Sequence, residues 1–534
     1  MAKVSDIPLG EEMGRLCPDD NMEKPPESRP TKRGLPGNLL LPILSTTVGG
    51  SILYGFNLGV LSVPSAHMMG FFNESHYHRH EVYLMDHSST WLWAFVVAIV
   101  CVGASVGAIA SGYPSNQFGR KKTILGNNIF SVTGAALISW SYFAYSYEMV
   151  LVGRFAAGIS VGVVSVVIPL YLSEISPTPL RGMILSMHGV LCNIGVAVAQ
   201  TLGLYVFTGE DSWPLLTGIP IAVISLFQVA TLSLCPETPR WLLIKRRDRR
   251  SATRALQSLR GSKNVTEEID RIEKTHLGSG GKDAVGIVDI LRLRNREWRK
   301  PLLITIVCNL CCSMTGANVI WFYLVEIFQT AGLTAGQIGI VTVWIAIVNA
   351  IVTFVAGCCL DKFGRRPITI LPLCACVVTL SSLTVCIVFQ DQSPWLPWLS
   401  AVLVAVHTFM VSLGPGPTVF ILCAEIWDQG PRSAAMALGG QIFWISNFVI
   451  GILFPYLQKS MGPYCFLVFA SFMAVCVFYF WFELPETKNK TFEEISQAFR
   501  REAGLKEKNH VEKIYSKPPS TSSSADISFE DAVV

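Results

Sequence analysis

The 534-residue chain is poor in charge: Asp, Glu, Lys and Arg make up 15% of it, against roughly 25% in a soluble domain. Hydrophobic residues make up 51% and gather in repeated apolar stretches, each near the roughly 20 residues a membrane helix needs. A soluble enzyme is thereby excluded, and a polytopic helical membrane protein is expected. The net charge of +4 is too small to suggest a nucleic-acid partner. Outside the apolar stretches cysteine occurs only at Cys17, so the 15 cysteines read as packing residues and build no disulfide framework. No Gly-x-x-x-x-Gly-Lys-Ser/Thr loop is present, which argues against an ATP-driven pump, and nothing calls for a metal or cofactor. The first 37 residues are polar and Pro-rich and lack a positive-then-apolar signal.

Twelve apolar runs lie near 38–63, 90–113, 122–143, 149–172, 183–207, 213–235, 301–327, 335–359, 367–389, 396–423, 433–457 and 462–484. They divide the chain into an N-terminal tail (1–37), a six-helix half (38–235), a linker (236–300), a second half (301–484) and a C-terminal tail (485–534). Arg120-Lys121-Lys122, Arg181, the basic run 245–260, 292–300, 362–366 and Arg432 fall on one side of the expected membrane. By the positive-inside rule that side and both termini are cytoplasmic, and the bilayer is the first partner. Loop 64–89 is then outside, where Asn73-Glu74-Ser75 is a candidate glycan site. Linker residues Leu256, Leu259, Val265, Ile269 and Ile272 recur at helical spacing, predicting short amphipathic helices. The terminal Ala532-Val533-Val534 could enter a PDZ-type groove.

Both halves carry one pattern. Glu174 and Arg181 return as Glu425 and Arg432 (425 − 174 = 251; 432 − 181 = 251). Gly119-Arg120-Lys121 returns as Gly364-Arg365-Arg366, and Pro236-Glu237-Thr238 as Pro485-Glu486-Thr487. Three matched pairs in one order indicate a duplicated six-span unit. An acid and a base at the inner ends of spans pair when those ends converge and separate when they splay. Such pairs are worth about 0–1 kcal/mol when exposed, and a partly buried network can bias a conformational equilibrium. The bland alternative is that these charges serve topology alone.

These motifs, with Pro239-Arg240, Lys488 and Gly414-Pro415-Gly416-Pro417, resemble the signature set of the sugar porters of the major facilitator superfamily. Within that branch the chain is most similar to the animal facilitative glucose transporters, from about Leu40 to Arg500. The resemblance implies an all-α fold of twelve transmembrane helices in two pseudo-symmetric halves. It implies gating by Arg120, Arg154, Glu174, Arg181, Arg365, Glu425 and Arg432; the acid–base chemistry groups Glu174, Arg181 and Arg120 with Arg432 of the other half, and Glu425, Arg432 and Arg365 with Arg181, as latches of an outward-facing state. It also implies a hinge at Gly414, Pro415, Gly416 and Pro417.

Polar residues inside the runs are Asn57, His188, Asn193, Gln200, Asn309, Asn318, Asn349, Gln441 and Asn447, with Trp321, Phe420, Phe443 and Trp444 beside them. Such residues usually face the bundle interior, as sugar contacts or as plain helix–helix hydrogen bonds. Of these, Asn318, Asn349, Trp444 and Asn447 match sugar-contacting positions of the glucose transporters. Other contacts of that family are replaced here, by Gly189, by Cys312-Ser313, by Ser412, by Phe420 and by Phe443. Asn57 stands where proton-coupled porters carry an Asp, which favours uniport. The expected activity is therefore facilitative uniport of a monosaccharide, a hexose such as glucose or fructose. The alternatives are a different or proton-coupled substrate, or a transporter-fold sensor.

Overall fold

The computed structural model describes residues 37–177, 180–278, 287–292, 296–359, 364–427, 431–488 and 492–502. Residues 1–36 and 503–534, and with them the terminal valines, lie outside the described residues. Ten stretches are long and apolar enough to cross a membrane. The last of them, Arg432–Glu483, holds two helices, Arg432–Met461 and Cys465–Glu483. A further helix, Arg120–Ser141, is more polar because it carries Arg120, Lys121, Lys122, Asn127 and Asn128, yet it packs between Tyr147–Ile175 and Trp213–Ser233.

These make twelve spans. Spans 1 to 6 are Gly37–Gly59, Asp86–Gln117, Arg120–Ser141, Tyr147–Ile175, Arg181–Tyr205 and Trp213–Ser233. Spans 7 to 12 are Arg296–Thr330, Ala335–Cys359, Arg365–Val388, Leu396–Glu425, Arg432–Met461 and Cys465–Glu483. The halves meet along two seams, span 2 on span 11 and span 5 on span 8. Within the first half, spans 2 and 4 approach until their backbones nearly touch. A Cβ on Gly103 would lie 2.2 Å from the Phe155 carbonyl oxygen, and one on Gly158 2.3 Å from that of Val100.

Three spans depart from a regular α-helix. Span 1 widens into a π-turn at Thr47–Ser51. Span 7 breaks at Thr315-Gly316, where Gly316 has φ +74°, and kinks again at Tyr323. Span 10 breaks at Gly414 (φ −115°, ψ −95°), ahead of the helix Pro415–Glu425. Irregular backbone at membrane depth survives only when buried in protein or facing a cavity. In the linker, Arg249–Arg260 and Thr266–Gly278 are helices, and Leu256, Leu259, Val265 and Ile269 are buried.

At the basic face the repeated motifs lock together. Span 3 begins at Arg120, and its first amides need acceptors. The Glu237 carboxylate, brought in from beyond span 6, accepts from the amides of Arg120 (3.1 Å), Lys121 (3.1 Å) and Thr238 (3.0 Å). In the second half Glu486 accepts from the amides of Arg365 (2.8 Å), Arg366 (3.1 Å) and Lys488 (3.0 Å) at the start of span 9. A Cβ at Gly119 or Gly364 would sit 2.3 or 2.4 Å from the carboxylate, so both copies keep glycine there. The next basic residue reaches back to the end of the span before the acid: Lys121 Nζ donates to the carbonyls of Ser233 (2.8 Å) and Cys235 (2.7 Å), and Arg366 to that of Trp481.

The two carboxyls differ in balance. At Glu237 burial outweighs the amides and pushes the group up. At Glu486 burial pushes upward too, but the amides of Lys488, Arg365, Arg366 and Thr487 outweigh it and hold the group below its ordinary 4.5. A carboxyl held low stabilises the fold above its ordinary value and loses that contribution as pH falls through the lowered one. Thermal unfolding in detergent should show Glu486→Gln less stable than the native chain at pH 7, by about 1–3 kcal/mol. The difference should shrink as pH falls below 4.5. A pH-independent difference would refute the anchor.

Candidate functional site

The charged candidates come together within each half. Arg120 pairs with Glu174 at 3.0 Å, both nearly buried, and Arg365 pairs with Glu425 at 3.1 Å. Thr487 donates to the second oxygen of Glu425. The cross-half groupings are not made in this structure. The other oxygen of Glu174 is buried without a partner, Arg181 is exposed, and Arg432 donates to the Trp427 carbonyl at 3.1 Å. At the opposite face the halves touch: Trp91 of span 2 lies 4.4 Å from Tyr456 of span 11, and His87 6.4 Å from it. The charged residues thus pair within each half at one face, and the aromatic rings meet across the halves at the other.

Arg154 stands apart from this set. It is buried in span 4, donating to the carbonyl oxygens of Asn57 (2.9 Å) and Val96 (3.5 Å), and its remaining terminal nitrogen is unpartnered. It braces spans 1, 2 and 4 and meets no acid in the described residues. Asn57 turns its own amide to the Leu53 carbonyl at 2.9 Å.

Toward the middle of the membrane the polar residues form three short chains. Asn318, just past the break in span 7, donates to Asn447 Oδ1 at 2.9 Å, and Asn447 donates to Ser313 Oγ at 3.0 Å. Across the seam, Asn349 donates to Asn193 Oδ1 at 3.1 Å, and Asn193 to Thr353 Oγ1 at 2.9 Å. In the first half, Ser51 of the π-turn lies 2.7 Å from His188 Nδ1. Tyr54 connects these groups, with its ring 6.0 Å from His188 and 6.3 Å from Trp444, which in turn stands edge-on to Phe443 at 5.3 Å.

Trp321 and Cys312 are buried near the same break, while the Phe420 side chain lies outside the described residues. At Gly189 an added Cβ would meet only Thr353 Cγ2, at 3.1 Å. Asn349 Oδ1 is buried with no partner, as are both amide atoms of Gln200 in span 5. Of the other candidates, Asn309 serves span packing, donating to the Thr305 carbonyl at 2.8 Å. Gln441 bridges to Ser105 across the other seam.

Thr353 and Ser105 were not singled out from the sequence, although Thr353 follows Asn349 by one helical turn and so shares its face. Asn73 is half-buried on the helix Ser65–His80, and the Ser75 hydroxyl of its sequon is buried and donates to the Tyr145 carbonyl.

Residues 43–499 match the family model described as "Sugar (and other) transporter". The chain belongs to the sugar transporter family. It is 36% identical over 466 residues to the human solute carrier family 2, facilitated glucose transporter member 9, covering 87% of this chain and 86% of that one. It is 36% identical over 467 residues to member 5 from the horse, covering 87% and 92%. Among solved structures it resembles the major facilitator proton:xylose symporter XylE bound to 6-bromo-6-deoxy-D-glucose. The TM-score is 0.70 at 22% identity, covering 86% of this chain and 99% of that one. The inward-open form of XylE from E. coli scores 0.69, also at 22% identity. At that identity the likeness speaks for the twelve-helix fold alone.

The Asn193–Thr353 bond joins the two halves, so a double-mutant cycle reads it directly. Asn193→Ala and Thr353→Val should couple by about 0.5–1.5 kcal/mol in thermal stability. Strict additivity would mean that the seam is not closed there in solution.

Proposed function

We propose that the chain is a uniporter carrying a monosaccharide, a hexose such as glucose or fructose, down its gradient by alternating access. The observation that carries the reading is the pair of buried polar chains, Asn318–Asn447–Ser313 at the break of span 7 and Asn349–Asn193–Thr353 across the seam of spans 5 and 8, together with the Tyr54–Trp444 ring contact. A sugar presents alternating hydroxyls, each able to donate and accept, and side-chain amides offer both complements. Broken spans at the membrane midplane, buried in protein, are where transporters place substrate. Uniport is supported by Asn57, an amide that releases no proton, and by the lack of an acid against Arg154 among the described residues.

The alternating cycle uses the paired charges. In the present conformer Glu174 and Glu425 each pair within their own half, and Glu174 keeps one buried oxygen open for Arg432 of the opposite half when the inner ends converge. The protein sits in the plasma membrane with both termini cytoplasmic, and Asn73 carries its glycan if that is added before Ser75 packs under Tyr145. A second reading, a different or less polar substrate or a sensor, is motivated by Cys312, Gly189 and Phe443. Two of these are apolar and the third is a weakly polar thiol, where hydroxyl-matching groups would strengthen binding.

The deciding measurement is labelled-hexose uptake into proteoliposomes, with glucose, fructose, galactose and a non-sugar as competitors. Saturable uptake, unchanged by collapse of a proton gradient, supports uniport. Saturable uptake that the gradient drives overturns uniport, and none with any sugar overturns transport.

Arg181→Ala gives a second check. Arg181 is exposed here, so its loss should leave stability unchanged. An exposed pair of about 0–1 kcal/mol lost from the other conformer should lower uptake by up to about five-fold. Normal uptake would count against the latch.

A further inference from the structure

The helix Ser65–His80 lies between spans 1 and 2 on the face away from the basic residues. It is rich in histidine, with His67, His76, His78 and His80, and His87 follows. His76 and His80 are four apart, so on a helix they share one face. Their rings have centroids 4.6 Å apart and planes inclined by 41°. The Nδ1 atom of His76 is buried with no hydrogen-bond partner, an imidazole position left unspent.

The spacing meets the demand of a shared metal. A metal–imidazole bond of about 2.0–2.1 Å places each ring centre roughly 3.2 Å from the ion. Two rings seen from the ion at a right angle or slightly wider are then about 4.5–5 Å apart. With one nitrogen of each ring turned to a common ion, a separation of 4.6 Å fits the near-right angle that Cu²⁺ adopts with nitrogen ligands in tetragonal sites.

The neighbouring charges tolerate a cation. Arg79 stacks over the Tyr147 ring at 5.1 Å, but it is paired with Glu148 at 2.8 Å. Tyr147 itself faces His76 at 6.5 Å. No group of three or more His, Cys, Asp or Glu able to hold an ion occurs among the described residues. The chain itself thus offers the two imidazoles, and a bound ion would complete its shell with ligands from outside the described residues.

We infer that His76 and His80 form a two-imidazole chelate for a divalent transition metal, Cu²⁺ above Zn²⁺ and Ni²⁺, on the outer helix of the first half. It stands apart from the sugar path, and its success or failure does not depend on the transport reading.

The test is Cu²⁺ titration of the full chain in detergent, purified without a polyhistidine tag, followed by electron paramagnetic resonance. The native chain should give one saturable signal whose hyperfine pattern requires two nitrogen ligands. His76→Gln and His80→Gln should each weaken the affinity, on the order of a hundred-fold, because a chelate loses its effective concentration when one arm goes. His80 is exposed, so His80→Gln leaves packing intact and carries the test should His76→Gln fail to fold. His78 stacks on Tyr145 at 4.9 Å, and His78→Gln should change nothing. Unchanged affinity in His80→Gln, or an equal loss in His78→Gln, would overturn the site.

Discussion

Backbone amides at a helix start must find acceptors, and beside a membrane they find them in protein or not at all. Much of the basic face follows from that constraint. Glu237 and Glu486 meet it for spans 3 and 9, and in doing so tie each span to the segment that follows span 6 or span 12. The residues whose amides are held then place their side chains. Arg120 is aimed at Glu174 of span 4, and Arg365 at Glu425 of span 10. Lys121 and Arg366 close the opposite side on carbonyls at the ends of spans 6 and 12. Three spans per half are thereby fastened into one block, and the duplication of the acid, the glycine and the two basic residues has a single cause.

Blocks fastened in this way suit rigid-body motion, which the proposed cycle would place at the seams. There the contacts are of a different kind. Spans 2 and 11 meet through aromatic rings and the Ser105–Gln441 bond, and spans 5 and 8 through Asn193, Asn349 and Thr353. Neutral hydrogen bonds are worth about 0.5–1.5 kcal/mol net, against several for a buried ion pair that loses one partner. Strong interactions inside the blocks and weak ones between them are what a rocking pair requires.

The duplicated charges were legible in the sequence because topology forces them to the membrane surface and duplication prints them twice. The partners of Arg120 and Arg365 were legible for the same reason. The role of Glu237 was not: an acid in a Pro-Glu-Thr segment gives no sign that it caps a helix 116 residues away. The π-turn at Thr47–Ser51 was equally hidden, since Gly49-Gly50 reads as ordinary close packing until Gln228 and Ile168 are seen against it. At the midplane, Asn318 and Asn447 could be picked out as polar residues in apolar runs. Thr353 and Ser105 could not, because hydroxyls inside membrane helices commonly turn back to their own backbone. Only the approach of span 5 to span 8 shows that Thr353 receives Asn193.

The halves have diverged where they face the path. Breaks at Gly316 and Gly414, and the chain Asn318–Asn447–Ser313, all belong to the second half. The first half offers Ser51, His188 and Tyr54 beside a milder irregularity, and holds the deeply buried Arg154 on backbone carbonyls. A cation held by carbonyls has no titrating partner to exchange a proton with, so a change of conformer leaves its charge as it was. An aspartate at position 57 would stand on the residue whose carbonyl Arg154 already grips, and the pair would then separate or join as the spans shift. With Asn57 in that place no span 1 carboxylate stands against Arg154, which is the electrostatic ground for the uniport proposed above.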